Sequence, residues 1–304
     1  MNAQERYAML EREPFRQIGG RGNVTGSFAS VVDIFRHREM LNLLVRRDLK
    51  SRYKDSALGF LWTLVRPLTQ LAIYYVVIGH FLQAARGIPD FAIYVFTGLT
   101  AYTLFAEIVS TGTSSIVANS GLIKKVQLPR EVFPLASVGS ALFNFAIQLA
   151  ILLVATLLLG VFPAHLDLLY AVPSLVLLVV IGTAFALLLS AWNVYLRDIG
   201  YLLEVILMVM LWASPIVYSF TMVKSFLGPS LALEIYTNNP LTLAVLGFQK
   251  AFWIGGQGNA EFPPMEYPDQ LLVRLLVAIG ISLVFLVISH RVFTRLQGNF
   301  AQEL

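Results

Sequence analysis

The amino-acid sequence predicts an all-α integral membrane protein, and three observations carry that prediction. First, 57% of the 304 residues are apolar, 13% are charged, and the mean hydropathy is +0.71. A soluble chain carries about a quarter charged residues, and 18 acids with 22 bases cannot clothe 33.8 kDa in a water-facing surface. Second, mainly apolar runs long enough to cross a bilayer, which takes about 20 residues, recur at 61–83, 91–112, 135–160, 168–192, 201–222 and 270–292. Third, the bases are unevenly shared between the segments that join these runs. With both termini inside, the inner segments hold Lys124, Lys125, Arg130, Arg197, Arg291, Arg295 and the eleven bases of residues 1–57. The outer loops hold only Arg86, Lys224 and Lys250. That asymmetry is the positive-inside pattern, and it predicts a multi-pass membrane protein with both termini cytoplasmic.

Three regions follow in order. Residues 1–29 read as a polar amino-terminal arm without the early apolar run of a cleavable signal, and on a cytoplasmic arm the sequon Asn23-Val24-Thr25 is a chance match. Within residues 30–56, Leu41, Leu44, Val45 and Leu49 fall at helical spacing, with Arg46, Lys50 and Lys54 opposite. This pattern suits a cytoplasmic amphipathic interface helix lying on anionic headgroups; a plain stop-transfer charge cluster is the competing reading. Residues 57–304 form the six-helix transmembrane domain. Between its fifth and sixth helices, about 223–269, Pro229, Pro240, Pro263 and Pro264 punctuate an apolar piece, Leu241–Trp253, that is too short to cross. A re-entrant or interfacial helical segment fits that stretch, and a loose loop is the alternative. No internal repeat is visible.

Composition also excludes chemistries. With no cysteine, the chain has no disulfide, thiol nucleophile or thiolate metal site. His37, His80, His165 and His290 lack metal-ligand spacing, so no metal is expected; neither is a nucleic-acid partner. There is no G-x-x-x-x-G-K-[ST], nor any Gly-Lys pair, so this chain cannot cradle ATP phosphates in a P-loop. If the chain moves a solute, the energy comes from a partner chain or an ion gradient, and Glu107 is the one acid placed like a buried proton carrier. An integral membrane enzyme acting on polyprenyl phosphate would need clustered acids, or a base beside a nucleophile. The sequence shows no D-x-x-D cluster and no His/acid pair.

Three motifs then resemble one family. Arg46-Arg47-Asp48-Leu49-Lys50-Ser51-Arg52-Tyr53-Lys54, followed by Leu58-Gly59-Phe60-Leu61-Trp62 and Arg66-Pro67-Leu68, is similar to the approach to the first span of ABC-2 type export permeases. The branch is the one that exports lipid-linked polysaccharides of the O-antigen, teichoic acid, capsule and galactan types. Asn119 to Val126 (NSGLIKKV), with Leu128-Pro129-Arg130-Glu131 and Pro134, resembles the loop after its second span. The third match is the tail from Arg295 to Leu304 (RLQGNFAQEL). The resemblance runs from about residue 30 to Leu304 and implies a homodimeric pore on two copies of a separate cassette ATPase subunit, which binds the ATP and magnesium. It also implies a permease, not an enzyme, with a polyprenyl-diphosphate-linked polysaccharide as cargo; a small amphiphile or drug is the same-fold alternative.

Candidate working residues fall into three groups. For coupling to the ATPase, the loop 116–131 supplies Asn119, Leu122, Lys124, Lys125, Pro129, Arg130 and Glu131, with Ile116, Ile123 and Val126 as further apolar contacts for a groove and the bases for an acidic rim. Arg197 and Asp198 in the next inner loop are a second contact; a topology signal alone is the competing reading. For a transport pathway, Thr63, Arg66, Gln70 and Tyr74 share one face of the first span, while Thr100, Thr103, Glu107, Ser110 and Thr111 stripe the second. Ser137, Ser140, Asn144 and Gln148 stripe the third. Polar residues at membrane depth face a wet cavity or a bundle interior, and such stripes also serve as helix-packing glue. Arg66 and Glu107 either line the path, pair with each other or, for Arg66, reach water at the inner end, while Arg274 is expected to snorkel outward. Tyr74, Trp212 and their aromatic neighbours, Tyr94, Tyr102, Tyr218 and Phe220 among them, suit weak stacking on sugar faces or a membrane-interface belt. For a cytoplasmic doorway, Arg47, Arg52 and Tyr53 stand beside the first span, where arginine forks suit a diphosphate.

Overall fold

A computed structural model describes residues 38–53, 61–81, 88–125, 128–257 and 264–304. The polar arm 1–29, residues 54–60 and Val126 of the motifs above, and the side chains of Arg52, Tyr53 and Arg66 lie outside the described residues. The described chain is helical throughout: α1 Arg38–Tyr53, α2 Leu61–Ile73, α3 Phe91–Ala118, α4 Ser120–Ile123, α5 Val132–Leu158, α6 Ala171–Tyr195, α7 Asp198–Ala213, α8 Phe220–Leu227, α9 Leu231–Thr237, α10 Pro240–Phe252, α11 Leu271–Leu296 and α12 Phe300–Glu303.

Four of these elements are long and apolar enough to cross a membrane: α3, α5, α6 with the 3-10 turn before it, and α11 with the turn after it. The first and fifth expected spans come out differently. α2 carries Pro67 inside it and passes into a π-helical stretch, Tyr74–Phe81. Proline removes an amide from the helical ladder and crowds the turn before it, so this segment is not one regular rod. α7 ends at Ala213 after 16 residues, about 24 Å at 1.5 Å per residue, which falls short of a hydrocarbon core of about 30 Å. The apolar run continues to residue 222, but Ser214 and Pro215 interrupt the helix.

α3 is the centre of the bundle. It packs on α5, α6, α7 and α10, and α6 in turn lies along α11. Most of α3 is shut away from the surroundings, whereas α11 turns Leu276, Val277, Ile281, Val284 and Ile288 outward, as lipid contact requires. Polar residues inside the bundle give their hydroxyl hydrogens to their own helix: Thr100 to the Phe96 carbonyl (2.8 Å), Thr113 to Val109 (2.7 Å) and Thr183 to Val179 (2.6 Å). Close crossings use small residues. A Cβ built on Gly112 of α3 would sit 2.5 Å from the Ala186 Cβ of α6, and one on Gly247 of α10 would sit 2.0 Å from the Ser174 Oγ.

α5 stops in a Schellman turn. Gly160 adopts φ +73°, its amide reaches the Leu157 carbonyl (3.2 Å), and Val161 reaches Thr156 (2.9 Å). Between α7 and α11 the described residues form α8, α9 and α10, with α10 buried against α3, α6 and α11. Two donors, from Tyr94 and Gln249, pin its surroundings to the break after α7, and a third, from Trp253, reaches the turn before α3. Tyr94 Oη donates toward the Pro215 and Tyr218 carbonyls (2.9 and 2.8 Å), Gln249 Nε2 donates to Pro215 (2.7 Å), and Trp253 Nε1 donates to Pro89 (2.8 Å). Tyr94 and Phe220 are therefore core residues, not members of an interface belt. Arg274 does not merely reach for water: it is held by Glu234 (2.8 Å), Asn238 (3.0 Å) and the Asp269 carbonyl (3.0 Å). Its guanidinium holds the Glu234 carboxyl below the usual carboxylate range.

Candidate functional site

Two features of the described bundle can do work: a groove with polar residues in its lining and a basic end where several loops are clasped together. The groove has a volume of about 1130 Å3 and is walled by α2, α3, α5 and α7. Its polar lining is Thr63, Tyr102, Thr103, Glu107, Ser110, Thr111, Asn144, Gln148 and Glu204; Trp62, Pro67, Ala106, Leu207, Met208 and Leu211 supply the apolar part. Thr103, Glu107, Ser110 and Thr111 of the second-span stripe and Asn144 and Gln148 of the third thus converge on one space, whereas Thr100, Ser137 and Ser140 do not line it. Asn144 Nδ2 donates to Glu107 Oε1 (2.6 Å), and Thr103 Oγ1 donates to Gln148 Oε1 (2.7 Å), so these pairs also bind α3 to α5. Tyr102 Oη donates to the Leu207 carbonyl (2.7 Å) and fixes α7 against α3.

Of the expected pathway residues, Thr103, Glu107 and Asn144 line the groove, while Gln70, Tyr74 and Trp212 do not. Tyr74 packs against the large apolar core and Trp212 is exposed on the outer face of α7. Gln70 lies within α2 beyond Pro67, and Tyr74 opens the π-helical stretch, where the 3.6-residue spacing assumed for the Thr63 face no longer applies. Sequence reasoning missed Glu204 as a groove residue. Its signal was present, since Glu204, Leu207, Met208 and Leu211 fall at offsets 0, 3, 4 and 7 on one face of α7.

At the basic end, α1, the α3–α5 loop, the α6–α7 loop and the chain's tail meet. A second apolar cluster gathers Leu44, Ile116, Ile123, Phe133, Leu187, Phe293 and Phe300, with Leu122 packed against it. Ile116, Leu122 and Ile123 were expected to face a partner, but they turn inward because burying them in their own chain removes more apolar surface from water. Lys124, Lys125, Arg197 and Asp198 stay exposed. Arg47 of α1 donates to Asn119 Oδ1 (2.6 Å) and to Asp48 Oδ1 (2.8 Å), joining the expected doorway helix to the expected coupling loop. Glu131 is buried and accepts from Gln297 Nε2 (3.1 Å). The Arg130 guanidinium lies 5.7 Å over the Phe300 ring, and burial lowers its pKa from the ordinary arginine value while Glu131 opposes the shift. Phe300 also meets Phe293 and Tyr195 edge to face, and Tyr195 Oη donates to the Leu296 carbonyl (2.9 Å). The tail is thus a clasp over both loops. Pro129 completes the loop, half-buried beside Arg130.

An apolar multi-helix shell around a polar groove, with bases collected at one end, is the layout of a membrane transport subunit. Residues 39–253 match the family described as ABC-2 type transporter. The chain belongs to that family. It is a multi-pass membrane protein and a transport component, not an enzyme. Two relatives align over almost its whole length and a third over a quarter of it. The O-antigen export system permease protein RfbA of Myxococcus xanthus is 28% identical over 274 residues, 90% of this chain and 98% of the relative. The protein of the same name in Klebsiella pneumoniae is 28% identical over 267 residues, 88% of this chain and 95% of the relative. The polysialic acid transport protein KpsM of Escherichia coli is 30% identical over 81 residues, 26% of this chain and 31% of the relative. ABC-2 type permeases work with cassette ATPase partners, and this permease carries no P-loop of its own.

Proposed function

We propose that this ABC-2 permease exports a polyprenyl-diphosphate-linked polysaccharide of the O-antigen type across a bacterial plasma membrane. It does so as a homodimer on two cassette ATPase subunits that bind ATP and magnesium. The observation that carries the cargo assignment is end-to-end similarity to relatives named as O-antigen export permeases. The polar groove supports it physically, since a glycan needs hydroxyl- and amide-lined space at membrane depth. In this reading the interrupted α2 and the short α7, with the chain that follows each, serve as the first and fifth of six spans. Both termini are cytoplasmic, as the collected bases at the α1 end suggest.

The exposed Lys124, Lys125, Arg197 and Asp198 contact the ATPase, and Asn119, Leu122, Pro129, Arg130 and Glu131 hold that contact in shape from behind. Arg47, Arg52 and Tyr53 form the cytoplasmic doorway, and Arg66 meets the diphosphate as it leaves water, since arginine keeps its charge at any working pH. In the groove, Glu107, Asn144 and Thr103 present oxygen and nitrogen to sugar hydroxyls. Purified alone, the chain is expected to hydrolyse no ATP; with its cassette ATPase and the lipid-linked glycan it should form a complex whose hydrolysis the glycan stimulates. Hydrolysis by the isolated chain, or a complex indifferent to the glycan, would refute the reading.

A further inference from the structure

A second, smaller cavity lies at the end of the bundle away from the clasp, where α6 and α11 begin. Its volume is about 160 Å3. Asp167 lines it from the turn before α6, Lys250 and Trp253 from the end of α10, and Met265 and Tyr267 from the approach to α11. The walls are fixed in place: the Met265 amide donates to the Gly256 carbonyl (2.8 Å), and the Trp253 indole donates to Pro89 (2.8 Å). Lys250 Nζ stands 4.2 Å from the centre of the Tyr170 ring and 5.7 Å from that of Tyr267. It lies 3.7 Å from Asp167 Oδ1, beyond hydrogen-bond reach, and the two side chains are 24% and 39% exposed. An ammonium and a carboxylate thus stand side by side with their hydrogen-bonding capacity unspent on each other. Burial and the Asp167 charge raise the Tyr267 pKa above the ordinary tyrosine value, so its hydroxyl stays a donor.

We infer that this cavity binds the headgroup of a phosphatidylethanolamine, with the phosphate on Lys250 and the Tyr267 hydroxyl and the ammonium on Asp167. The inference does not depend on the cargo proposed above. Charge complementarity selects the headgroup: a phosphate and a primary ammonium two carbons apart answer a lysine and an aspartate set side by side. An anionic lipid would meet Lys250 but leave Asp167 facing more negative charge, and a choline headgroup has no N–H to give Asp167. Size agrees, since the cavity is well below the about 300 Å3 at which drug-sized pockets begin; it admits a headgroup, not a length of glycan. Position agrees too. The segments carrying Asp167 and Tyr267 run on into α6 and α11, which expose Leu169, Val172, Val273 and Leu276, so apolar helix surface lies ready for the acyl chains. Tyr170 and Trp253 sit where aromatic rings gather at a membrane–water boundary.

The test delipidates the full-length permease in its complex with the ATPase and offers it dioleoyl phosphatidylethanolamine, phosphatidylcholine or phosphatidylglycerol, with retained lipid counted by native mass spectrometry. Phosphatidylethanolamine is expected to be held about tenfold or more tightly than the other two, the scale of one charge-assisted hydrogen bond gained. Asp167→Asn should erase the preference over phosphatidylcholine and improve retention of phosphatidylglycerol. Lys250→Gln should bring phosphatidylethanolamine down to the level of phosphatidylcholine, and Tyr267→Phe should weaken it less. A monodisperse complex on size exclusion reports that each variant is folded, and the wild-type comparison of the three lipids needs no variant at all. Equal retention of the three lipids by the wild type overturns the inference, as does a preference unmoved by both Asp167→Asn and Lys250→Gln. Uptake of a free hexose that Lys250→Gln abolishes, with the three lipids held alike, would assign the cavity to sugar and overturn it too. None of these results touches the proposed function, which is read from export and ATP hydrolysis.

Discussion

Gly112→Val is expected to abolish assembly of the bundle, because α3 and α6 cross there with no room for a side chain. Even the Cβ alone would sit 2.5 Å from the Ala186 Cβ and 3.2 Å from the Ala186 Cα, so backbone would have to move. Overpacking of a filled core typically costs about 1–3 kcal/mol and occasionally more, and here the contact lies between the central helix and its most extensive neighbour. Detergent-purified Gly112→Val should aggregate on size exclusion or inactivate well below the wild-type temperature, with Gly112→Ala intermediate. Gly280→Ala is the control: a Cβ there meets nothing within 4 Å, and alanine is the better helix former by about 0.5–1 kcal/mol. Equal stability of Gly112→Val and wild type would show that α3 and α6 are not packed this closely.

Phe300→Ala should leave the protein inserted and folded but disconnect ATP hydrolysis from export. The ring is fully buried, with Phe293, Tyr195 and Arg130 around it. Truncating a buried phenylalanine costs about 3–5 kcal/mol, more than a four-residue terminal helix can sustain, so the tail should detach and take Gln297 from Glu131. The loops proposed to receive the ATPase's force would then lose their common brace. Export is expected to fall by about tenfold or more, the equivalent of about 1.4 kcal/mol of coupling, while ATPase activity of the complex persists. Gln302→Ala, at an exposed position on the same short helix, should be silent. Wild-type export from Phe300→Ala would reduce the clasp to packing.

Much of this architecture is legible one segment at a time. The apolar runs that become α3, α5, α6 and α11 are visible because a lipid-facing or buried helix needs length and apolarity, both of which are local. The amphipathic α1 is visible in the spacing of Leu41, Leu44 and Val45, and the stripes holding Thr103, Glu107 and Asn144 foreshadow the groove. What stays hidden depends on distant partners. The end of α7 is one case: the run stays apolar past Pro215, and the break is stabilised by donors from Tyr94 and Gln249, 121 and 34 residues away. The depth of α10 is another, because a mainly apolar helix of 13 residues suits an interface as well as a buried site. The Arg47–Asn119 and Gln297–Glu131 bonds join positions 72 and 166 residues apart, which no local periodicity can pair. The inward turn of Ile116 and Ile123 follows from the same cause, since the cluster that receives them is assembled from five separate segments.

The central claim is that cargo passes through the groove between α2, α3, α5 and α7, and the natural absence of cysteine makes a direct test simple. Ser110→Cys lines the groove, and Ile281→Cys faces outward from α11. In the assembled complex a water-soluble maleimide should label the cysteine at position 110 and spare the one at 281. Loading the complex with lipid-linked polysaccharide should slow labelling at 110 without changing 281. A cysteine at 110 that stays unlabelled, or labels at the same rate with cargo engaged, would contradict the account.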